Sequence, residues 1–338
     1  MNRFMRAVNP HTLINIAKAL IALALLIWLV HSGRLDFAVL LSAPLNIFHL
    51  LGILTLSAHV LLQVVRWWWL LRTQRINLSL GQALQLSWIG QFFSSLLPGA
   101  AGGDLVRAYY VARDASAAKV AGVSTVLLDR ALGLYALLWL GVPSVAVLII
   151  LQDELTSAVI QMGALISLLV IGTTVLFLAL WARPTRSLIL GLVPGRFRTT
   201  LEATLVAYHD HGRDLIFCFV LSLLASIMLM GTFLLLGRAI GTPLGWQQVF
   251  LAGPLVIVAN SLPVSPGGLG VAETAASVLF AGFGVDTGAE IMLILRFWVV
   301  VLGLPGGLMY VLRTRRSAFT QPVEEARPRS RLTDKLRR

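Results

Sequence analysis

Apolar residues in this chain run in blocks rather than alternating with polar ones. Uninterrupted hydrophobic stretches lie at about 12–30, 45–65, 131–151, 160–182, 215–237 and 290–312. Each is close to the ~20 residues a helix needs to cross ~30 Å of hydrocarbon, so six membrane crossings are predicted. Two further apolar stretches, about 80–128 and 245–284, are interrupted by LLPGAAGGD and SLPVSPGGLG. Proline removes a backbone donor and glycine weakens a helix interior, so neither stretch can be one unbroken helix. Each is predicted to enter and leave the membrane on one face, as a re-entrant segment.

The two broken stretches align without a gap. Pro98 stands four residues before Gly102-Gly103, and Pro263 four residues before Gly267-Gly268, an offset of 165 at all three positions. Gln82 and Gln247, and Leu97 and Leu262, keep that offset, and Arg130 and Arg296 come within one residue of it. Pro266 and Gly270 add to the second break. Three predicted crossings separate the motifs, and an odd number makes the copies oppositely oriented. The predicted fold is therefore an all-α polytopic membrane protein, with six full spans and two Pro/Gly-broken re-entrant segments in an inverted repeat. One membrane domain covers 1–312, with repeat motifs at about 80–130 and 245–296. A basic, unstructured cytoplasmic tail is predicted over 313–338.

Composition agrees with that pattern. Hydrophobic side chains make up 57% of the chain and charged ones 12%, with a mean hydropathy of +0.84. A soluble globular domain carries about 25% charged residues, so that class is excluded. The net charge is +12, and the last 26 residues hold nine basic and three acidic side chains. With the N-terminus inside, the cytoplasmic ends and loops collect nineteen Lys and Arg residues, Arg66, Arg72 and Arg75 among them, against Arg34 and Arg238 outside. The positive-inside rule then places both termini in the cytoplasm. Trp67, Trp68, Trp69 and Trp181 fall at predicted cytoplasmic span ends, as interfacial aromatics do, although packing would explain them equally. The basic tail suits anionic lipid and lacks a nucleic-acid-binding motif. Cys218 is the single cysteine, which excludes an internal disulfide or a CxxC metal site. His49 and His59 are ten residues apart in one span, and packing explains them better than metal ligation.

Charges inside apolar spans are costly, at least ~2.5 kcal/mol each on insertion scales, and mark functional sites. Here they gather around the breaks. Asp104 and Arg107, three apart, can pair on one helix face. Asp129 and Arg130 open the following span, Glu273 follows the second Gly-Gly, and Arg296 lies about two turns into the last span. These residues are expected to line a midplane cavity in which arginines and half-helix N-termini hold a phosphate. The alternative is structural: buried pairs that fix packing, with Arg107 and Arg130 snorkelling to the surface. Asn260 and Ser261, like Ser94 and Ser95, either cap half-helices or line the cavity, and Gln91 is a weaker candidate. No nucleophile with its base, nucleotide loop or metal centre is evident, so no cofactor is expected.

The segments LLPGAAGGDLVRAYY (96–110), LLDRALGLYALLWL (127–140) and NSLPVSPGGLGVAE (260–273) resemble the lysylphosphatidylglycerol synthase transmembrane-region family, whose members are described as flippase-like. The resemblance spans about Ile14 to Leu312. It implies a multi-pass bacterial inner-membrane protein that binds or translocates an anionic, modified or polyprenyl-phosphate-like lipid. By motif position it assigns Asp104, Arg107, Asp129, Arg130 and Glu273 to the polar site. The full-length enzymes continue into a soluble aminoacyl-transferring domain, whereas the sequence here ends in a 26-residue basic tail, so their transferase activity is not expected. The expected function is a lipid transporter or flippase that makes no covalent bond. The alternatives are an accessory protein delivering lipid to a glycolipid, hopanoid or envelope-lipid enzyme and, third, a membrane-embedded transferase.

Overall fold

The computed structural model describes residues 45–97, 102–114, 119–151, 156–262, 268 and 270–319, which form helices joined by short connections. Five segments are long and apolar enough to cross a membrane: Ile47–Thr73, Val120–Val147, Ser157–Trp181, Gly212–Ala239 and Gly288–Arg313. They answer to five of the six expected spans. The sixth, at about 12–30, lies outside the described residues, as do Pro98, Pro263, Pro266 and Gly267.

The region of the first predicted repeat holds α1 (Ile47–Thr73), α2 (Leu80–Ser94), α3 (Gly102–Asp114) and α4 (Lys119–Trp139). Then come α5 (Gly141–Leu151), α6 (Ser157–Trp181), α7 (Arg183–Leu192) and α8 (Gly195–Tyr208). The region of the second predicted repeat holds α9 (Gly212–Ala239), α10 (Trp246–Ser261), α11 (Val271–Ala281) and α12 (Gly288–Phe319). Both regions run in the order long helix, two short helices around a break, long helix. The starts of α1 and α9 are 165 residues apart, and those of α2 and α10 are 166 apart.

Both first half-helices open on the same cap. The Ser79 and Gly245 N–H groups donate to Oε1 of Gln82 and Gln248 respectively, each at 2.8 Å, satisfying a backbone donor that a helix start leaves over. The partner of Gln82 is thus Gln248 rather than the Gln247 suggested by ungapped spacing. Pairing by cap geometry shifts the register by one residue.

The breaks are closed by glycine. A methyl group at Gly103 would run into Ser94 Oγ and the Gly90 carbonyl. At Gly268, whose φ is +74°, it would run into the Asn260 side chain and carbonyl. Each glycine lets the chain fold back against the half-helix it has just left, and only glycine reaches positive φ without cost. As a result α2 packs on α3 and α10 on α11.

The two equivalent long helices, α1 and α9, form the most extensive helix pair in the described structure. They run antiparallel. Asn46 Nδ2 donates to the Ala239 carbonyl at 2.9 Å, Thr55 meets Thr232 at 3.0 Å, and Trp69 Nε1 donates to Asp214 at 2.9 Å. Partner numbers fall along α9 as they rise along α1. Interhelical hydrogen bonds of this sort hold helices together where lipid offers no hydrophobic drive.

One apolar cluster, including Trp67, Leu71, Leu86 and Val111, lies among α1 to α4. Another, including Phe233, Val256, Phe280 and Ile291, joins α9 to α12 with α6. The outer face of α6 leaves Leu168 and Ile171 well exposed, as a lipid-facing surface requires. The Tyr208 hydroxyl of α8 donates to the Leu70 carbonyl at 3.0 Å, and burial pushes it well above the ordinary tyrosine value.

Three boundaries differ from expectation. Helix α4 begins at Lys119, so Asp129 and Arg130 stand at its middle rather than opening a span. The apolar run VAGVSTVLL belongs to this helix and not to the broken stretch before it. Helix α1 continues through Thr73, which carries Arg66 and Trp67 inside the span; both are buried. Helix α12 runs to Phe319, seven residues past the predicted span end at 312, and the rest of the tail lies outside the described residues.

Candidate functional site

On α1, spacings of four and three residues put His59, Gln63 and Arg66 on one helix face. Arg66 Nε donates to Asp129 Oδ1 at 2.7 Å and Nη1 donates to Ser222 Oγ at 2.9 Å. Only 5% of each side chain in the Arg66–Asp129 pair is exposed. Gly133, one turn beyond Asp129 on α4, makes room for the guanidinium, since a methyl group there would lie 3.0 Å from Arg66 Nη1.

The other oxygen of Asp129 accepts from Arg107 Nη1 and Nη2, both at 3.2 Å. Arg107 also donates to Asp104 Oδ1 at 3.3 Å, and Arg130 Nη1 donates to Asp104 Oδ2 at 2.7 Å. Five side chains from α1, α3 and α4 thus form one alternating chain: Arg66, Asp129, Arg107, Asp104, Arg130. The Arg107 guanidinium lies 4.1 Å from the centre of the Trp67 ring, a cation–π contact that is stronger when desolvated. Pairing lets these charges stay buried, because a lone buried charge costs several kcal/mol more than a paired one. Three arginines against two aspartates leave a formal surplus of one positive charge.

This chain forms the polar wall of a cavity of about 180 Å³. His59, Gln63 and Ser226 also reach it, as do Asn260 and Ser261 from the end of α10, while Leu134, Leu137 and Leu229 supply an apolar side. A second cavity of about 120 Å³ lies against the α2–α3 break and is lined by Ser87, Gln91 and Ser94. Gln63, Asp104, Arg107 and Arg130 line both cavities and so form the partition between them. Ser87 Oγ and Arg107 Nε are buried without a hydrogen-bond partner.

In the second repeat, Arg296 Nε donates to Glu273 Oε1 at 2.5 Å, and its Nη2 donates to the Gly268 carbonyl at 3.2 Å and to Asn260 Oδ1 at 3.4 Å. The second oxygen of Glu273 accepts from the Gly270 N–H at 2.8 Å. This pair ties the second break to α12 and sits one residue behind the cavity wall, which it reaches through Asn260.

Asp104, Arg107, Asp129 and Arg130 thus lie together in one network of ion pairs, and Glu273 and Arg296 pair with each other. Gly102, Gly103, Gly268 and Gly270 stand at the breaks. Asn260 and Ser261 line the cavity, although the Ser261 hydroxyl donates back to the Ile257 carbonyl of its own helix. Arg107 does not snorkel to a surface; it lies under Asp129. Sequence reasoning missed Arg66, His59, Gln63 and Ser222. The polar spacing of 59, 63 and 66 inside an apolar run was the available signal.

The family model described as the lysylphosphatidylglycerol synthase TM region matches residues 15–308. A UPF0104 membrane protein of Pyrococcus horikoshii is 25% identical over 297 residues, covering 80% of this chain and 88% of its own length. Another UPF0104 membrane protein, from Methanothermobacter thermautotrophicus, is 24% identical over 310 residues, with 83% and 89% covered. No solved structure matches. With the matched region taking in both glycine breaks and every charge of the buried network, the chain belongs to the lysylphosphatidylglycerol synthase transmembrane-region family.

Proposed function

We propose that this protein takes the anionic or modified headgroup of a membrane lipid into the cavity beneath Arg66, Arg107 and Arg130. It carries the lipid between leaflets while the acyl or prenyl chains stay in the bilayer. One observation carries this reading: an alternating chain of five charged side chains, with one positive charge in excess, walls a cavity among membrane-crossing helices. Guanidinium groups suit phosphate because they offer paired N–H donors in a fixed fork. Asp104 pairs with Arg107 and Arg130, and an entering phosphate takes over its place on Arg130. No covalent step is involved.

The antiparallel fit of α1 on α9 supports reading the two repeats as inverted, with re-entrant hairpins entering from opposite leaflets. Three candidate spans between the breaks support it too. Removing Arg66 from the orientation count leaves eighteen basic residues inside against two outside, so both termini are assigned to the cytoplasm of a bacterial inner membrane. Transporters built from inverted repeats alternate access by rocking one repeat on the other; here the α1–α9 pair is the rocking surface.

The test is movement of a fluorescent phosphatidylglycerol between leaflets of liposomes containing the purified protein. Wild-type protein is expected to move it, and Arg107→Ala or Arg130→Ala to lose that activity while staying folded. Wild-type protein that moves no lipid but co-purifies with a lipid synthase would replace this reading with the accessory role.

A further inference from the structure

His59 lines the larger cavity but takes no part in the ion-pair chain. Its Nδ1 lies 2.7 Å from the Ala225 carbonyl of α9, and its Nε2 lies 2.7 Å from Gln63 Nε2. A carbonyl can only accept, so Nδ1 carries the proton. Gln63 can only donate from its amide nitrogen, so Nε2 is the acceptor. With the Gln63 amide nitrogen facing Nε2, this arrangement fits the neutral ring. It also bridges the two repeats, joining α1 to α9.

We infer that His59 is a proton-uptake site coupled to anion binding in this cavity, through the Gln63 side chain. The inference rests on the headgroup reading above. Protonation places a hydrogen on Nε2, which can then no longer accept from Gln63. The Gln63 amide turns over so that its carbonyl oxygen accepts from the ring and its NH2 group swings to the opposite side. Gln63 lines both cavities, so that side is where an anion sits. One added proton thus gives the cavity a positive charge and a new donor together.

The surroundings make the coupling cooperative. Arg66 is two turns along α1, and Asp104, Arg107, Asp129 and Arg130 line the same cavity from α3 and α4. Among the described residues, α9 and α10 bring only uncharged polar groups, Ser226, Asn260 and Ser261. Without an anion the excess positive charge resists protonation of His59; a bound anion removes that resistance. By reciprocity, protonation tightens the anion by the same factor. A headgroup then loads with a proton, and loss of the proton releases it.

The experiment is calorimetric titration of the full chain in detergent with a short-chain phosphatidylglycerol, whose phosphodiester keeps one negative charge across the range used. Binding at about pH 5.5 is expected to be at least ~5-fold tighter than at about pH 8, with an enthalpy that depends on the buffer because a proton is taken up. His59→Gln abolishes that pH dependence and the proton uptake, and Gln63→Leu weakens both while keeping the imidazole. Wild-type binding of equal strength at both pH values, without proton uptake, overturns the proton coupling and leaves the headgroup site standing. So does an unchanged pH dependence in a folded His59→Gln protein. No binding at either pH removes the headgroup site itself, and the coupling with it.

Discussion

Arg107 and Glu273 hold matching places with opposite charge. Each stands on the half-helix that follows a glycine break, and each is tied to the next long helix, Arg107 to Asp129 and Glu273 to Arg296. Each of these ion pairs joins the half-helix after a break to the following long helix, with the base on the half-helix in the first case and on the long helix in the second. The excess of arginine therefore lies in the first repeat, where Arg66 and Arg130 join the network, while the second repeat contributes a closed pair.

If the second pair serves mainly to fasten the break, its polarity is interchangeable. Glu273→Arg or Arg296→Glu alone leaves two like charges facing each other and is expected to destabilise the protein by ~3–5 kcal/mol. The double exchange restores much of that loss. Thermal unfolding in detergent measures both, and a double variant no more stable than either single one would show that Gly270, Gly268 or Asn260 requires the native polarity.

The two aspartates of the network differ in depth. Asp129 is 5% exposed and serves two arginines, whereas Asp104 is 22% exposed. Asp129→Asn is expected to cost ~3 kcal/mol or more, because it leaves buried Arg66 without a carboxylate and takes from Arg107 one of its two. Asp104→Asn costs less, since water reaches the groups it leaves. The same substitution strengthens binding of an anionic lipid, because it removes the carboxylate that competes for Arg130. Melting curves and lipid titrations on the two variants separate these effects.

Glycine at the breaks is a packing requirement. Gly103→Ala and Gly268→Ala are each expected to cost ~1–3 kcal/mol through overpacking, more at Gly268, where positive φ adds strain. Gly172→Ala on α6 has nothing within 4 Å of the added methyl group and is expected to stabilise slightly through helix propensity. Equal melting temperatures for all three variants would mean the hairpins are not closed in this way.

Much of this fold was legible because its signals are local. Proline and glycine interrupt apolar runs at 98–103 and 263–270, and new helices start just after them at Gly102 and Val271, whereas α12 runs on through Pro305-Gly306-Gly307. Glu273 and Arg296 were legible because each is a lone charge in an apolar setting and must find a partner. Arg66 was not: followed by three tryptophans and then Arg72 and Arg75, it reads as part of an interfacial belt. Only the partner carboxylate on α4, 63 residues later, reveals it as buried. The start of α4 was hidden for a related reason, since Val120–Leu128 is apolar enough to merge with the broken stretch before it. His59 is a property of assembly, because its meaning comes from a carbonyl on α9 that no spacing within α1 predicts.

The central claim is that lipid headgroups occupy the cavity walled by Arg66, Arg107 and Arg130. It is tested most directly by ultraviolet crosslinking of a phosphatidylglycerol carrying a photoreactive group in its headgroup, followed by peptide mapping of the full-length protein in a bilayer. Crosslinks on the α4 segment around Gly133–Leu137 and the α9 segment around Ser226–Leu229, lost in Arg107→Ala, are the predicted result. Crosslinks confined to the lipid-facing side of α6, such as Leu168 and Ile171, and unchanged by Arg107→Ala would contradict it.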